Sequence, residues 1–203
     1  MISEREKIIN FSRDIFFREG FYKVTMDQIA SELRMSKKTI YKNFASKEVL
    51  VEDIVKGVKA EISTNLETLM SSEDNAVMKL LELNRLLSGL LLRLKDKWIN
   101  DLKIYLPNLW QEIDEFRNKR LNQVFSSIIL EGQKEELIKE LPPEMMLIVF
   151  ISTLSGVINS EFLLNNRFSY KDALEISLSI LFSGILTPKG QKIFQKLSKE
   201  GLQ

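Results

Sequence analysis

The segment Thr25 to Lys47, TMDQIASELRMSKKTIYKNFASK, constrains the fold more than any other part of the chain. Thr25 and Gln28 have the Thr-x-x-Gln spacing of a capping box, in which each side chain satisfies an orphan backbone N–H at a helix start. The helix so opened runs to about Leu33, and Ser36 then caps a second one that ends near Asn43. With room for about two turns, roughly 10 Å at about 1.5 Å per residue, that second helix is too short to be stable alone. Ile40 and Phe44, four apart, anchor it to a domain, while Lys37, Lys38, Thr39, Tyr41, Lys42 and Asn43 line it with donors. Two short helices, a tight turn and a donor-rich second helix of major-groove size are the layout of a helix-turn-helix DNA reader.

Ser46 caps the helix that follows, and Lys47 falls in its first turn, where the macrodipole disfavours a cation by roughly 0.3–1 kcal/mol. A charge set against the local field points to an anion from outside. A DNA phosphate suits both the ammonium and the free N–H groups of that helix end. The net charge of +1, from 29 basic and 28 acidic side chains, suggests no nucleic-acid partner by itself. Its distribution does: residues 1–50 hold ten basic and seven acidic side chains, which leaves −2 for the remainder, and between Arg34 and Lys47 there are five basic residues and no acidic one. Surface lysines are common, so the combination carries the reading rather than any single member.

These residues resemble the DNA-binding signature of the tetracycline-repressor (TetR) family of bacterial transcriptional regulators over roughly residues 5 to 50. The matching positions are Ile8, Ser12, Ile15, Phe16, Gly20 and Phe21 in the first helix and its exit, then Thr25, Ile29, Ala30, Ser36, Thr39, Tyr41, Phe44, Lys47 and Leu50. The resemblance implies that Thr25, Ser36, Thr39, Tyr41 and Lys47 meet DNA, mostly at phosphates, and that Lys37, Lys38 and Lys42 help set sequence preference. Arg34 stands where the family has a turn glycine, Met35 where it has valine, and Lys38 where glycine is frequent. If the turn keeps a left-handed residue, Arg34 costs roughly 1–2 kcal/mol there.

The chain has neither cysteine nor histidine. Disulfides, thiolate chemistry, cysteine or histidine zinc sites, imidazole bases and Glu-x-x-His di-iron motifs are therefore ruled out, and neither catalytic residues nor a metal or cofactor is expected. Glu4, Arg5, Glu6 and Lys7 lie where a signal peptide needs an apolar stretch, so the expected location is cytoplasmic.

Beyond Leu50 apolar spacing of three and four dominates, with neither strand nor repeat visible. We read helices at about 47–70, 76–95, 98–105, 108–131, 143–164 and 170–186, and a last one after Thr187 and Pro188, with Gly132 stopping the helix that precedes it. The uncharged run Met145 to Ser160 is shorter than the ~18 apolar residues of a membrane span and diluted by hydroxyls, so it reads as a buried helix. The chain is thus expected to be all-α, with an N-terminal three-helix helix-turn-helix DNA-binding domain at 1–46 and a C-terminal helical ligand-binding and dimerisation domain at 47–203. The resemblance implies a homodimer in which the helices at about 143–164 and 170–186 pair with their symmetry mates.

It also implies a pocket among the fourth to seventh helices. Trp98, Tyr105, Trp110 and Phe125 offer aromatic lining there, and Asn84, Ser88 and Arg117 are polar intrusions in apolar stripes, with Arg117 favouring an anionic ligand. The plainer account makes Asn84 and Ser88 satisfied core groups and pairs Arg117 with Asp114. The function expected is a homodimeric repressor released from a pseudo-palindromic operator of double-stranded DNA by a small apolar or amphipathic effector. Two alternatives differ in class. One is an all-helical carrier or enzyme without DNA binding, although Glu112, Asp114 and Glu115 are spread around their helix; the other is a DNA-binding regulator answering to a protein partner.

Overall fold

The structure, a computed structural model, describes residues 2–94, 96–157 and 170–201. Among them are ten helices: α1 Glu4–Glu19, α2 Met26–Glu32, α3 Lys37–Asn43, α4 Lys47–Ser71, α5 Ala76–Arg93, α6 Asp96–Tyr105, α7 Pro107–Lys134, α8 Pro143–Val157, α9 Tyr170–Ile185 and α10 Pro188–Gly201. The all-α expectation holds; the one β-type pairing among the described residues is an isolated bridge between Ile138 and Leu186. The chain divides into two compact units, Met1–Asn65 with Gly89–Asn118, and Leu66–Ser88 with Lys119–Gln203. Helices α4, α5 and α7 contribute residues to both.

In the first unit, hydroxyl caps start the helices where the sequence puts them. Thr25 Oγ1 accepts the Gln28 N–H at 3.1 Å, Ser36 Oγ the Thr39 N–H at 3.0 Å and Ser46 Oγ the Val49 N–H at 3.3 Å. A full reciprocal capping box is found at Ser3 and Glu6, ahead of α1. Helix α2 ends in a Schellman motif: the Met35 N–H donates to Ala30 O at 2.9 Å and the Arg34 N–H to Ser31 O at 3.0 Å, with Arg34 itself left-handed at φ 52°. The turn keeps its left-handed geometry despite the arginine. Ile8, Phe16, Ile29, Ile40, Phe44, Leu50 and Ile54 close the core of this unit, together with Trp98 and Leu102 of α6. Arg5 ties α1 to α4 through Asp53 and lies 5.0 Å over the Phe44 ring.

In the second unit α7 runs past the position where a glycine was expected to stop it. Glu136, not Gly132, is the left-handed residue, at φ 60°, and a second Schellman motif follows from Leu137 N–H to Gly132 O at 2.8 Å and Glu136 N–H to Gln133 O at 3.0 Å. Gly132 is required for a different reason: a Cβ there would lie 2.5 Å from Ile138 Cδ1 and 2.8 Å from Ala76 Cβ, so the absence of a side chain permits α5 and the 137–138 segment to close on α7. Helix α6 starts two residues before the expected Trp98, at Asp96. Helix α8 is described as far as Val157, and residues 158–164 of the helix read from sequence lie outside the described residues. Thr187 caps α10 by accepting the Gly190 N–H at 3.2 Å.

Candidate nucleic-acid interface

Helix α3 buries Ile40 completely and exposes Lys37, Lys38, Tyr41 and Lys42 on its other sides. Tyr41 keeps 49% of its surface in solvent although it is aromatic, which in a helix of seven residues marks a face held open rather than packed. Ser36 and Thr39 couple at 2.9 Å between hydroxyls, and Asn43 Nδ2 donates back to Thr39 O at 2.9 Å, so these side chains stiffen the helix ends. Lys37 Nζ reaches across to Asp27 Oδ2 of α2 at 2.5 Å, and that hydrogen bond raises its pKa above the ordinary lysine value. The pair braces the two reader helices against each other. Lys38, Tyr41 and Lys42 are the exposed donors facing outward without a described tie of this kind.

Lys47 is placed otherwise than expected. Its ammonium turns inward and donates to Phe21 O at 2.9 Å, Tyr22 O at 2.9 Å and Val24 O at 3.1 Å, so its three protons are taken up by the chain's own turn. The cation that the helix dipole disfavours is compensated here by three carbonyls of the chain itself. Burial pushes its pKa below the ordinary lysine value, partly offset by Glu48 and Asp101.

The structure separates the residues expected to line a pocket. Trp98 is a core residue of the first unit, 5.1 Å from the Phe17 ring and 5.6 Å from Phe21. Trp110 packs against that same core with Lys103 over its ring, and Tyr105 lies exposed on Tyr22. Arg117 is exposed and pairs with Asp114 at 2.5 Å, as the plainer account has it, because a guanidinium at the surface avoids the cost of desolvation. Asn84 and Ser88 are buried together in the second unit, 3.5 Å between Ser88 Oγ and Asn84 Oδ1. Tyr105 borders a cleft of the first unit together with the charged side chains of Glu52, Lys56, Lys59 and Glu112, whereas Phe125 lines an apolar cavity of the second. That cavity, about 300 Å³, is bounded by Leu80, Phe125, Leu141, Pro142, Met145, Met146, Val149, Phe150, Leu181, Phe182 and Ile185, with no polar side chain among them.

Residues 8–54 match the family model for bacterial regulatory proteins, tetR family. Over 170 residues, 83% of this chain and 88% of the relative, the sequence is 28% identical to an uncharacterised HTH-type transcriptional regulator, YvaF, of Bacillus subtilis strain 168. A TetR-family transcriptional regulator from Marinobacter aquaeolei VT8 shares the fold at TM-score 0.76 and 21% identity, covering 98% of each chain. The SmeT–triclosan complex shares it at TM-score 0.65 and 13% identity, covering 91% of this chain and 92% of that one.

The chain carries the DNA-binding domain of the TetR family.

It is accordingly a DNA-binding transcriptional regulator, and α2 and α3 are its helix-turn-helix. No helix among the described residues is long and apolar enough to cross a membrane. One internal feature of this regulator was missed by the sequence reading: Lys79, almost wholly buried, donates to both carboxylate oxygens of Glu131 at 2.8 and 3.0 Å. The signal was there in part, since Lys79 lies between Val77 and Leu80 on a helix apolar on most sides, but its partner is 52 residues away. On α8 and α9 the surface is unusually apolar: Met145, Ile148, Val149, Ile176 and Ile180 are exposed, Ile180 to 69%. Leu178 of α9 points instead into its own unit.

Proposed function

We propose that this TetR-family regulator is a homodimeric repressor, with residues 1–46 reading a pseudo-palindromic operator and residues 47–203 dimerising and answering to a small apolar molecule. The observation that carries the reading is α3, a capped two-turn helix braced by Lys37 and Asp27 that holds Lys38, Tyr41 and Lys42 outward while Ile40 is buried behind them. Phosphates are the expected partners of Tyr41 and of the exposed hydroxyls of Thr25 and Ser36, and base edges those of Lys38 and Lys42. A symmetric dimer places its two α3 helices in successive major grooves, about 34–36 Å apart. The apolar faces of α8 and α9 supply the surface for pairing with a second copy.

The cavity of the second unit suits a ligand without charge, because none of its lining side chains can offset the desolvation of an ion. A similar fold solved as a complex with triclosan supports a small, largely apolar effector. Release follows if the ligand binds a dimer with wrongly spaced readers more tightly, by a coupling of about 1–3 kcal/mol. Fluorescence anisotropy on the DNA upstream of the protein's own gene tests the reading. Saturable binding at a two-fold symmetric site, reversed by uncharged apolar compounds and no longer reversed in Met146→Trp, is the expected result; equal affinity for that site and a scrambled duplex would sink it.

A further inference from the structure

The turn that follows α1 is held from two sides. From α4 come the three hydrogen bonds of Lys47 to Phe21, Tyr22 and Val24. From α6, Asp101 Oδ2 accepts the backbone N–H of Tyr22 at 2.8 Å, and Tyr105, one helical turn further along the same face, stacks flat on the Tyr22 ring with centroids 4.0 Å apart and planes at 3°. Trp98 and Leu102, buried beside them, lock that face of α6 onto the end of α1. Gly20 completes the fit. At φ +81° it takes a conformation that favours glycine, and a Cβ on it would lie 2.5 Å from Asp101 Oδ2, so a side chain there would displace the carboxylate.

The turn from Gly20 to Val24 leads straight into Thr25, the cap of α2, so its position sets where the reader begins. A carboxylate in a unit that approaches DNA works against phosphate by its charge, and the geometry gives this one a task that is not electrostatic. We propose that Asp101 and Tyr105 are positioning residues for operator recognition: from α6 they fix the 20–24 turn and, through it, the placement of α2 and α3 on DNA. The inference rests on the DNA-binding reading above. It predicts effects of opposite sign to simple electrostatics, because loss of one negative charge by itself would tighten binding to every duplex.

The test uses the full-length chain, an operator duplex and a scrambled duplex, with anisotropy titrations at several salt concentrations. A parent that does not distinguish the two duplexes overturns the DNA-binding reading and this inference with it; every other outcome concerns the latch alone. With a discriminating parent, Asp101→Ala is expected to lower operator affinity by about tenfold, the order of a lost charge-assisted hydrogen bond. Affinity for the scrambled duplex and the salt slope should stay at or above the parent's. Asp101→Asn keeps an amide oxygen that can accept the Tyr22 N–H and should recover most of the loss. Tyr105→Ser, at an exposed position, should lower operator affinity in the same selective way by a smaller factor. An Asp101→Ala protein with the parent's ratio of operator to scrambled affinity overturns the proposal, as does an Asp101→Asn protein as weak as the alanine variant. Should circular dichroism show Asp101→Ala unfolded, a parent-like ratio in Tyr105→Ser overturns it, and a selective loss there upholds it.

Discussion

The two compact units treat apolar surface in opposite ways. In the first, the large apolar side chains of α1 to α4 converge on one core, and those left outside, such as Val49 and Tyr41, are scattered. Turns and helix starts are tied by side chains, through Thr25, Ser36, Ser46 and Lys47. The second unit leaves Met145, Ile148, Val149, Ile176 and Ile180 in solvent, and Met145 and Val149 also border an apolar cavity that is partly open. On the proposed function, the difference follows from what each unit has to do. A reader must keep its donors at a set spacing, which demands satisfied turns, whereas a regulatory body needs apolar surface that a ligand or a second copy can cover.

The comparison breaks most completely at α9. Ile180→Asp puts a charge on the exposed apolar face and is expected to give monomers in sedimentation, with operator affinity lowered by about 10²–10⁴-fold as simultaneous engagement of two half-sites is lost. A dimer undisturbed by Ile180→Asp and Ile176→Asp would move the interface to another face. Leu178→Asp should unfold the second unit instead, because that side chain is buried.

A smaller effect separates the partners of the buried ion pair. Glu131→Leu strands the Lys79 ammonium in the interior and should lower stability by about 3 kcal/mol, while Lys79→Met leaves Glu131, 36% exposed, to be hydrated and should cost roughly 1 kcal/mol or less. Equal losses in urea unfolding would mean that packing of the lysine stem, not its charge, dominates.

Within the reader, Lys42→Ala and Lys47→Ala should diverge. The first removes a base-edge contact and is expected to narrow the ratio of operator to scrambled affinity with little change in stability. The second should leave that ratio and the slope of log affinity against log salt nearly unchanged and lower the unfolding free energy by about 1–2 kcal/mol, since three carbonyls lose their donor. A salt slope reduced in Lys47→Ala would return Lys47 to the phosphate contacts. The smallest change expected is a gain: Arg34→Gly relieves a left-handed arginine and should raise stability by about 1 kcal/mol, visible as an upward shift in melting temperature.

The reader was legible because its determinants are local. A cap and the N–H it serves are three residues apart, as in Thr25 with Gln28 and Ser36 with Thr39, and Ile40 and Phe44 show their burial by spacing alone. The effector region was not. Trp98, Tyr105 and Trp110 have the composition of a pocket, yet they are used by the first unit, Trp98 and Tyr105 against α1 and its exit and Trp110 against the same core, and nothing in residues 96–110 signals which apolar face they will meet. Arg117 falls by spacing in the stripe of Trp110, Ile113, Leu121 and Val124, yet it is exposed and paired with Asp114, because spacing along one chain places a helix face only to within about a residue.

By itself, then, the sequence determined the helices, the capped reader with its basic face and the left-handed demand placed on Arg34, because each depends on neighbours within about one turn of chain. Tertiary structure alone decided that Lys47 serves the 21–24 turn, that Asp101 reaches Tyr22 from α6, that Lys79 meets Glu131, and that Gly132 is a place of close approach rather than a helix stop. These contacts join residues brought together by packing. Their energies depend on burial and on the few tenths of an ångström that separate one helix from the next, which no spacing along the chain records.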